Sequence, residues 1–595
     1  MWNFSFLSRL YRRFGLKVAG WAVLLLFGTL VASAADFSPD AWISQWTCIG
    51  PFPNGDDQGL ERDWLAEFGG EPAFQYRPAM SPSVLPGASP APRIQTAAPN
   101  EDGFIDFREV FGMLEFKTAY AWCELDCPEA GFAFLKVGSD DGVKVWINGV
   151  LVHEHFIRRG AQADQDIVVA RIQKGANRCL VKVEQATGAW GFFLRFGQLL
   201  SQKEGVHLKL LDPIRPPVIL LGARYPIVQS LYLTLLNHGT KDLEEFQLVC
   251  RSEQLQESRS EKFSCPVGRC LQTTLALEPQ SSLRPGAPVD LHLEARLPGG
   301  ERLALGRLQT EAALIHPLLQ AGKAVDRSPF YIVQISDPHL VARDSVLGGV
   351  KTAERLEQAV AEINAMTPAP DFVVVTGDIL LDQARGYPLY ESIMPKLNVP
   401  YVTTFGNHDK PAGLDEAERV FSAWRIPPYY AFDYKGYAFV VLDSVAEVNP
   451  PKGEISEPQR QWLDSLLGQL PSSPWLFFLH HELFTGTGTT NQDEVQTILE
   501  AHPGEKWFFT GHWHADCFVK RGNQRHVVTT ATAYLFFNAA EIKHDRKIPG
   551  YRLIHFHEGN ITTEFKPLGG DPLPDPGLEG YYTAEDVRTA LGMEK

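Results

Sequence analysis

The sequence predicts a multidomain chain in which two β-sandwiches precede an α/β domain. Three observations carry that reading. The chain has 595 residues, too many for one hydrophobic core. From about 36 to 313 it runs in short alternating segments broken by Gly, Asn, Asp and Pro, with almost no helical periodicity. From 328 onward strands alternate with helices, the pattern of an α/β unit.

Residues 1–34 read as an export signal. Arg9, Arg12, Arg13 and Lys17 flank an apolar run over 18–31, and Ala32-Ser33-Ala34 supplies a small-x-small cleavage pattern. The run is short for a membrane span, and an uncleaved anchor is the alternative. No later stretch is long and apolar enough to cross a bilayer. The expectation is a periplasmic or secreted protein with no membrane span after signal cleavage.

Residues 35–200 are expected to form the first antiparallel sandwich. Runs at 134–137, 143–147, 167–169, 179–183 and 192–196 read as strands, and Asn148-Gly149 reads as a tight hairpin because both turn positions need positive φ. Residues 201–320 continue the strand texture at 218–221, 231–236, 245–249, 273–277 and 289–295, sized for an immunoglobulin-like sandwich. A linker is expected over 316–327. The α/β unit spans 328–567, with strands at 331–335, 372–375, 399–404, 437–442, 475–479 and 507–509 and helices at 352–364 and 456–470. A Pro- and Gly-rich tail, 568–595, follows, with a short terminal helix expected from Thr583.

Composition bounds the function. Hydrophobic residues at 44% and charged residues at 21% belong to folded protein, and a net charge of −16 argues against a nucleic-acid polymer as partner. Eight cysteines stand at 48, 123, 127, 179, 250, 265, 270 and 517. Cys123 with Cys127, and Cys250 with Cys265 or Cys270, are close enough to bridge in an exported protein, with buried free thiols the alternative.

The chemistry lies where the α/β strands end. The first ends in Asp337-Pro338-His339 and the next in Gly377-Asp378. Gly406-Asn407-His408-Asp409, His480-His481 and Gly511-His512-Trp513-His514 follow at the ends of three more. Open α/β sheets build their sites at the carboxyl ends of strands. Carboxylates with imidazoles suit Mn, Fe or Zn better than Ca or Mg, and no Cys belongs to the set. Asp378 can bridge two ions.

These five blocks, in this order, resemble the calcineurin-like metallophosphoesterase superfamily over about 328–567. The resemblance implies a four-layer α/β sandwich with flanking helices and two metal ions. Asp337, His339, Asp378 and His514 match the ligands of one; Asp378, Asn407, His480 and His512 match those of the other. His408 matches the non-ligand His that faces the phosphate, with Asp409 orienting it. Many members have Pro two places after the fourth-block His. Here Glu482 stands there, which leaves His481 as an alternative to His480. Leu381 replaces the Tyr of purple acid phosphatases, so that branch is not supported.

The implied reaction is hydrolysis of a small-molecule phosphate ester by a metal-bridging hydroxide, with His408 as general acid. A phosphodiester of the cyclic-nucleotide or glycerophosphodiester type is favoured, and a phosphomonoester is the alternative. A third reading is a glycan-binding or adhesion protein whose hydrolase domain is accessory. It draws on Gly138-Ser139-Asp140-Asp141-Gly142 and Trp146, which resemble jelly-roll, galactose-binding-like modules. The simpler account makes the aspartates turn-formers and Trp146 and Trp190 core. His153 and His155 read as surface residues in a loop. His502, His526, His544, His555 and His557 lack partner spacing. Arg343, Asp344, Trp513, Tyr534 and Asp545 are weaker pocket candidates.

Overall fold

The computed structural model describes residues 35–575 and Tyr582–Thr583, apart from 56–57, 79, 83–89, 157–159, 212–215, 321–327, 348, 382–385, 410–419, 446–451, 471–473, 486–487 and 533–547. The export-like segment, Tyr534, His544, Asp545 and the expected terminal helix lie outside the described residues.

The described residues between 35 and 201 form two facing sheets, largely antiparallel. One is ordered Arg93–Ala97, Trp46–Pro53, Lys117–Cys127, Gly175–Gln185, Val143–Ile147, Val150–His155. The other is ordered Phe104–Asp106, Gly191–Ser201, Gly131–Ser139, Asp166–Ile172. Side chains alternate across a strand, and the inward set, including Val145, Leu135, Val181 and Phe192, closes one core around Trp46 and Trp190. Asn148 and Gly149 take φ of 52° and 84°, as the hairpin requires. Trp146 and Trp190 are buried, so they pack rather than form an exposed platform for a sugar.

Three- and five-stranded sheets follow between Leu208 and Leu314 and enclose a second core of Leu231, Leu233, Phe246, Leu291 and their neighbours. Of the expected linker over 316–327, residues 316–320 are described. Pro317–Leu319 makes one 3-10 turn, and Leu318 and Leu319 are buried in the core of the third unit, with Leu220 and Ile315. Trp462 Nε1 donates to Pro226 O at 2.8 Å, and Val218 N donates to Ser422 Oγ at 2.9 Å.

The third unit stacks two sheets between helices. One sheet is ordered Tyr401–Thr404, Val373–Thr376, Phe330–Ile335, Gly550–His557, Asn560–Pro567, Leu573–Pro574. The other runs Tyr430–Tyr434, Tyr437–Val441, Trp475–Phe478, Lys506–Thr510, Gln524–Val528, Cys517–Arg521, Tyr582–Thr583. Within Tyr437–Val441, Phe439 and Val441 join the core between the sheets, while Ala438 and Val440 face outward onto Leu463 and Val495. Those two belong to helices Glu457–Leu467 and Gln492–Ala501. Helix Thr352–Asn364 buries Leu356, Ala359, Val360 and Ile363, the stripe its period predicts. Strands buried on both faces read as unbroken apolar runs, which is why 372–375 and 475–478 were legible.

All eight cysteines are free thiols, and only Cys270 is exposed. Cys123 lies opposite Cys179 across the sheet rather than bridging Cys127.

Candidate metal centre

The two central sheets bring the five strand-end blocks together. Ligand atoms of Asp337, His339, Asp378 and His514 all lie within 4.8 Å of one another, and so do those of His480, His481 and His512. Asp378 joins the two groups: its Oδ2 is 3.1 Å from His480 Nε2 and 3.7 Å from His339 Nε2. His480 Nε2 also lies 3.1 Å from Asn407 Oδ1, while His480 Nδ1 is held at 2.8 Å by the carbonyl of Thr376. His514 Nε2 is 3.2 Å from Asp337 Oδ1 and 2.9 Å from His339 Nε2.

The backbone is bent to achieve this. Asp337, His339, Asp378, His512 and His514 all have φ between 45° and 68°. Each such non-glycine residue costs on the order of 1–2 kcal/mol, so their concentration here marks a site held by its surroundings. The motif glycines allow the close approach. A Cβ on Gly406 would sit 2.2 Å from Asp378 N and Oδ1, and one on Gly511 would sit 2.3 Å from Asp337 Oδ2.

Burial of a lone carboxylate raises its pKa, yet Asp337 and Asp378 move the other way. Burial pushes up Asp337, but His514 and then His480 overcome it and hold the carboxyl below its ordinary range. Burial opposes Asp378 likewise, and His480 and His408 carry it well below. His480 rises to about 9: burial disfavours its charge, and Asp378 and Asp337 more than compensate. His339 and His512 fall to about 3, chiefly through burial.

Buried carboxylates facing clustered imidazole nitrogens are a donor set that a divalent cation satisfies. A bound cation would take over the countercharge that the proton on His480 otherwise gives the two carboxylates.

His408 is the one predicted site residue besides His512 that keeps some exposure; its ring lies 5.2 Å from that of His339, and its backbone N donates to Asp378 Oδ1 at 2.9 Å. Asp409, the next residue, braces the loop that carries it. Its Oδ1 accepts from Leu380 N at 2.9 Å and its Oδ2 from Gly406 N at 2.8 Å, so it ties the second and third blocks together. Burial raises it to about 8.

In the fourth block, His480 faces Asp378 and Asn407. His481 is fully buried beside His512, with ring centroids 4.5 Å apart, and its Nδ1 lies 2.9 Å from Ser444 Oγ. Glu482 replaces the family's proline with a different loop lock. Its carboxylate accepts from Phe484 N at 2.6 Å, Thr485 N at 2.9 Å and Gly488 N at 2.9 Å.

Sequence reasoning missed the polar chain behind the site. Ser336 Oγ donates to Asp337 Oδ2 at 2.5 Å and accepts from Thr376 Oγ1 at 2.8 Å. Gln334 Nε2 donates to Thr376 Oγ1 at 3.0 Å, and Gln334 Oε1 accepts from Thr529 Oγ1 at 2.7 Å. Arg552 Nε donates to Thr529 Oγ1 at 3.0 Å, and its guanidinium pairs with Asp516 and Asp575. Only a polar residue inside an apolar run, Gln334 within 330–335, hints at this network in the sequence. Of the weaker candidates, Arg343 pairs with Glu357 at 3.0 Å on the surface, and Trp513 packs on Phe484.

Residues 330–516 match the family model of the calcineurin-like phosphoesterases. The 3',5'-cyclic adenosine monophosphate phosphodiesterase CpdA of Escherichia coli K12 is 31% identical over 294 residues, which cover 46% of this chain and all of that protein. A 3',5'-cyclic-nucleotide phosphodiesterase of Nostoc is 27% identical over 40% of this chain and 93% of its own. The serine/threonine-protein phosphatase CPPED1 of Danio rerio is 28% identical over 44% of this chain and 90% of its own. With the metal-type donor set assembled at its strand ends, the chain belongs to the calcineurin-like phosphoesterases and is a metal-dependent phosphoric ester hydrolase.

Proposed function

We propose that the site hydrolyses a small phosphodiester, of the cyclic-nucleotide or glycerophosphodiester type, at a two-metal centre. The carrying observation is Asp378, whose one carboxylate stands between two adjoining donor groups. Asp337, His339, Asp378 and His514 would hold one ion, and Asp378, Asn407, His480 and His512 the other, drawn from Mn, Fe or Zn. His480 takes the place over His481 because its Nε2 reaches both Asp378 and Asn407. Bound there, two cations supply charge neutralisation for the phosphate oxygens and acidify water.

The rest falls to the chain. His408, partly exposed beside the donor groups, hands a proton to the departing alkoxide. Asp409 keeps His408 and Asn407 in place through the loop it braces. The diester preference rests on the similarity to cyclic-nucleotide phosphodiesterases; the monoester reading is favoured only by the similarity to a protein phosphatase.

Turnover of a panel of mono- and diesters by the purified chain with Mn, Fe or Zn tests the reading, and activity on monoesters alone would reverse it. His408→Ala should lower turnover of an alkyl diester by about 10²–10⁴-fold and leave metal content intact. An activated aryl ester, whose leaving group needs no proton, should suffer less.

Three further parts belong to this proposal. Residues 1–34 direct export, which N-terminal sequencing of the mature protein checks. Residues 35–200 form a jelly-roll, galactose-binding-like module and 201–320 an immunoglobulin-like one, supported by their paired sheets and separate cores. Residues 328–567 carry the catalysis and 568–595 a tail.

A further inference from the structure

A second cluster of metal-ligating side chains lies far along the chain from the centre above. Val150–His155 is the edge strand of one sheet of the first module, and Asp166–Ile172 is the edge strand of the sheet facing it. His153 and His155, expected in a loop, stand two apart on that first strand and so share a face. Asp166 opens the second strand and meets them both. Its Oδ2 is 3.0 Å from His153 Nε2, and its Oδ1 is 3.4 Å from His155 Nδ1. One ligand atom from each of the three lies within 4.8 Å of the others. The intervening Glu154 is occupied elsewhere, paired with Lys144 at 2.7 Å.

We propose that His153, His155 and Asp166 bind a divalent transition-metal ion of the zinc type, separate from the phosphoesterase centre, which clips the two sheets together at their open edge. Two imidazoles and a carboxylate form the nitrogen–oxygen set that zinc accepts, with a fourth position left for water. Tetrahedral zinc with bonds of about 2.0–2.1 Å separates its ligand atoms by about 3.3 Å; each imidazole here stands at a comparable distance from one of the two Asp166 oxygens, and one ligand atom from each residue falls within 4.8 Å of the others. The ligands are also poised at modest cost. The side chains of His153 and Asp166 are 9% and 14% exposed and that of His155 27%, so an ion reaches the site without opening the core. The binding free energy would then stabilise the first module by linkage, since the unfolded chain does not hold the three groups together.

The test counts metal in the full chain. Protein stripped with a chelator is loaded with zinc, desalted and measured by atomic emission. Wild type should carry one more zinc per chain than either His155→Ala or Asp166→Asn, with phosphodiesterase turnover equal in all three. Glu154→Gln, changed on the opposite face of the same strand, should retain the extra ion. Zinc should also raise the lowest melting transition of wild type and leave that of Asp166→Asn unmoved; the near-isosteric change keeps this readable if His155→Ala folds poorly. Equal zinc content in wild type and both variants would overturn the site, and so would loss of the ion in Glu154→Gln.

Discussion

Two pairs of buried aspartates in this chain behave in opposite ways. In the first module, Asp140 and Asp141 are both 7% exposed, and Asp140 is pushed up to about 7, first by burial and then by Asp141. In the third unit, Asp337 and Asp378 are buried still more deeply and are held below their ordinary range. Burial is the largest influence on all three and raises each; the imidazoles of His480 and His514 reverse it at the second place. A buried acid beside a second acid, as Asp140 is, therefore tends toward neutrality. Buried acid among histidines stays charged and is ready for a cation.

Removing the shared carboxylate breaks the comparison most severely. Asp378→Asn keeps the shape and deletes the charge that both donor groups use. Turnover should fall by about 10³-fold or more, with loss of bound metal in the same sample. An unchanged metal content would separate the charge of Asp378 from metal retention and move the bridge elsewhere.

A third arrangement neutralises carboxylates with a guanidinium. Arg552 is fully buried and pairs with Asp516, also fully buried, and with Asp575. Arg552→Met removes the cation that both acids face. It should cost about 3–5 kcal/mol in chemical denaturation, because removing one partner leaves an uncompensated buried charge. The side-chain hydrogen bonds from Arg552 to Asp337 run through Thr529, Gln334, Thr376 and Ser336, so turnover of the protein that remains folded should fall less than in Asp378→Asn.

These regions were not equally legible in the sequence. Asp337, His339, Asp378, His408 and the paired histidines stood out because apolar runs end at them, and a strand buried on both faces has no other way to read. Arg552, Asp516 and Thr529 carry no such signal. Their partners come from different strands, and no spacing records a contact across a sheet. The sequence around His153 and His155 reads as a loop because an edge strand half in water lacks the apolar alternation that betrays a strand. Gly550–His557, which lies between the first motif strand and the hairpin partner Asn560–Pro567, carries an equally weak strand signal, its run broken by Arg552 and two histidines. Asp409 was legible as part of its block, but the two backbone N–H groups that its oxygens accept from were not, since no spacing records them.

The smallest effect sharpens the other half of the comparison. Asp141 already has a turn to hold: its Oδ2 accepts from Ala186 N at 2.8 Å, and its φ is 62°. Asp140 bears the electrostatic consequence. Its folded pKa of about 7 lies above its ordinary 3.8, so between those values the folded chain keeps a proton that the unfolded chain has released. Stability from this group is full below about pH 4, is lost as the pH rises toward 7, and stays lost above it. Asp140→Asn removes that loss. It should stabilise the first module by about 1–2 kcal/mol at pH 8 and leave it unchanged at pH 4, measured as the difference in melting between variant and wild type. A difference equal at both pH values would mean that Asp140 is held charged by a partner, as Asp337 is, and the contrast between the two pairs would vanish.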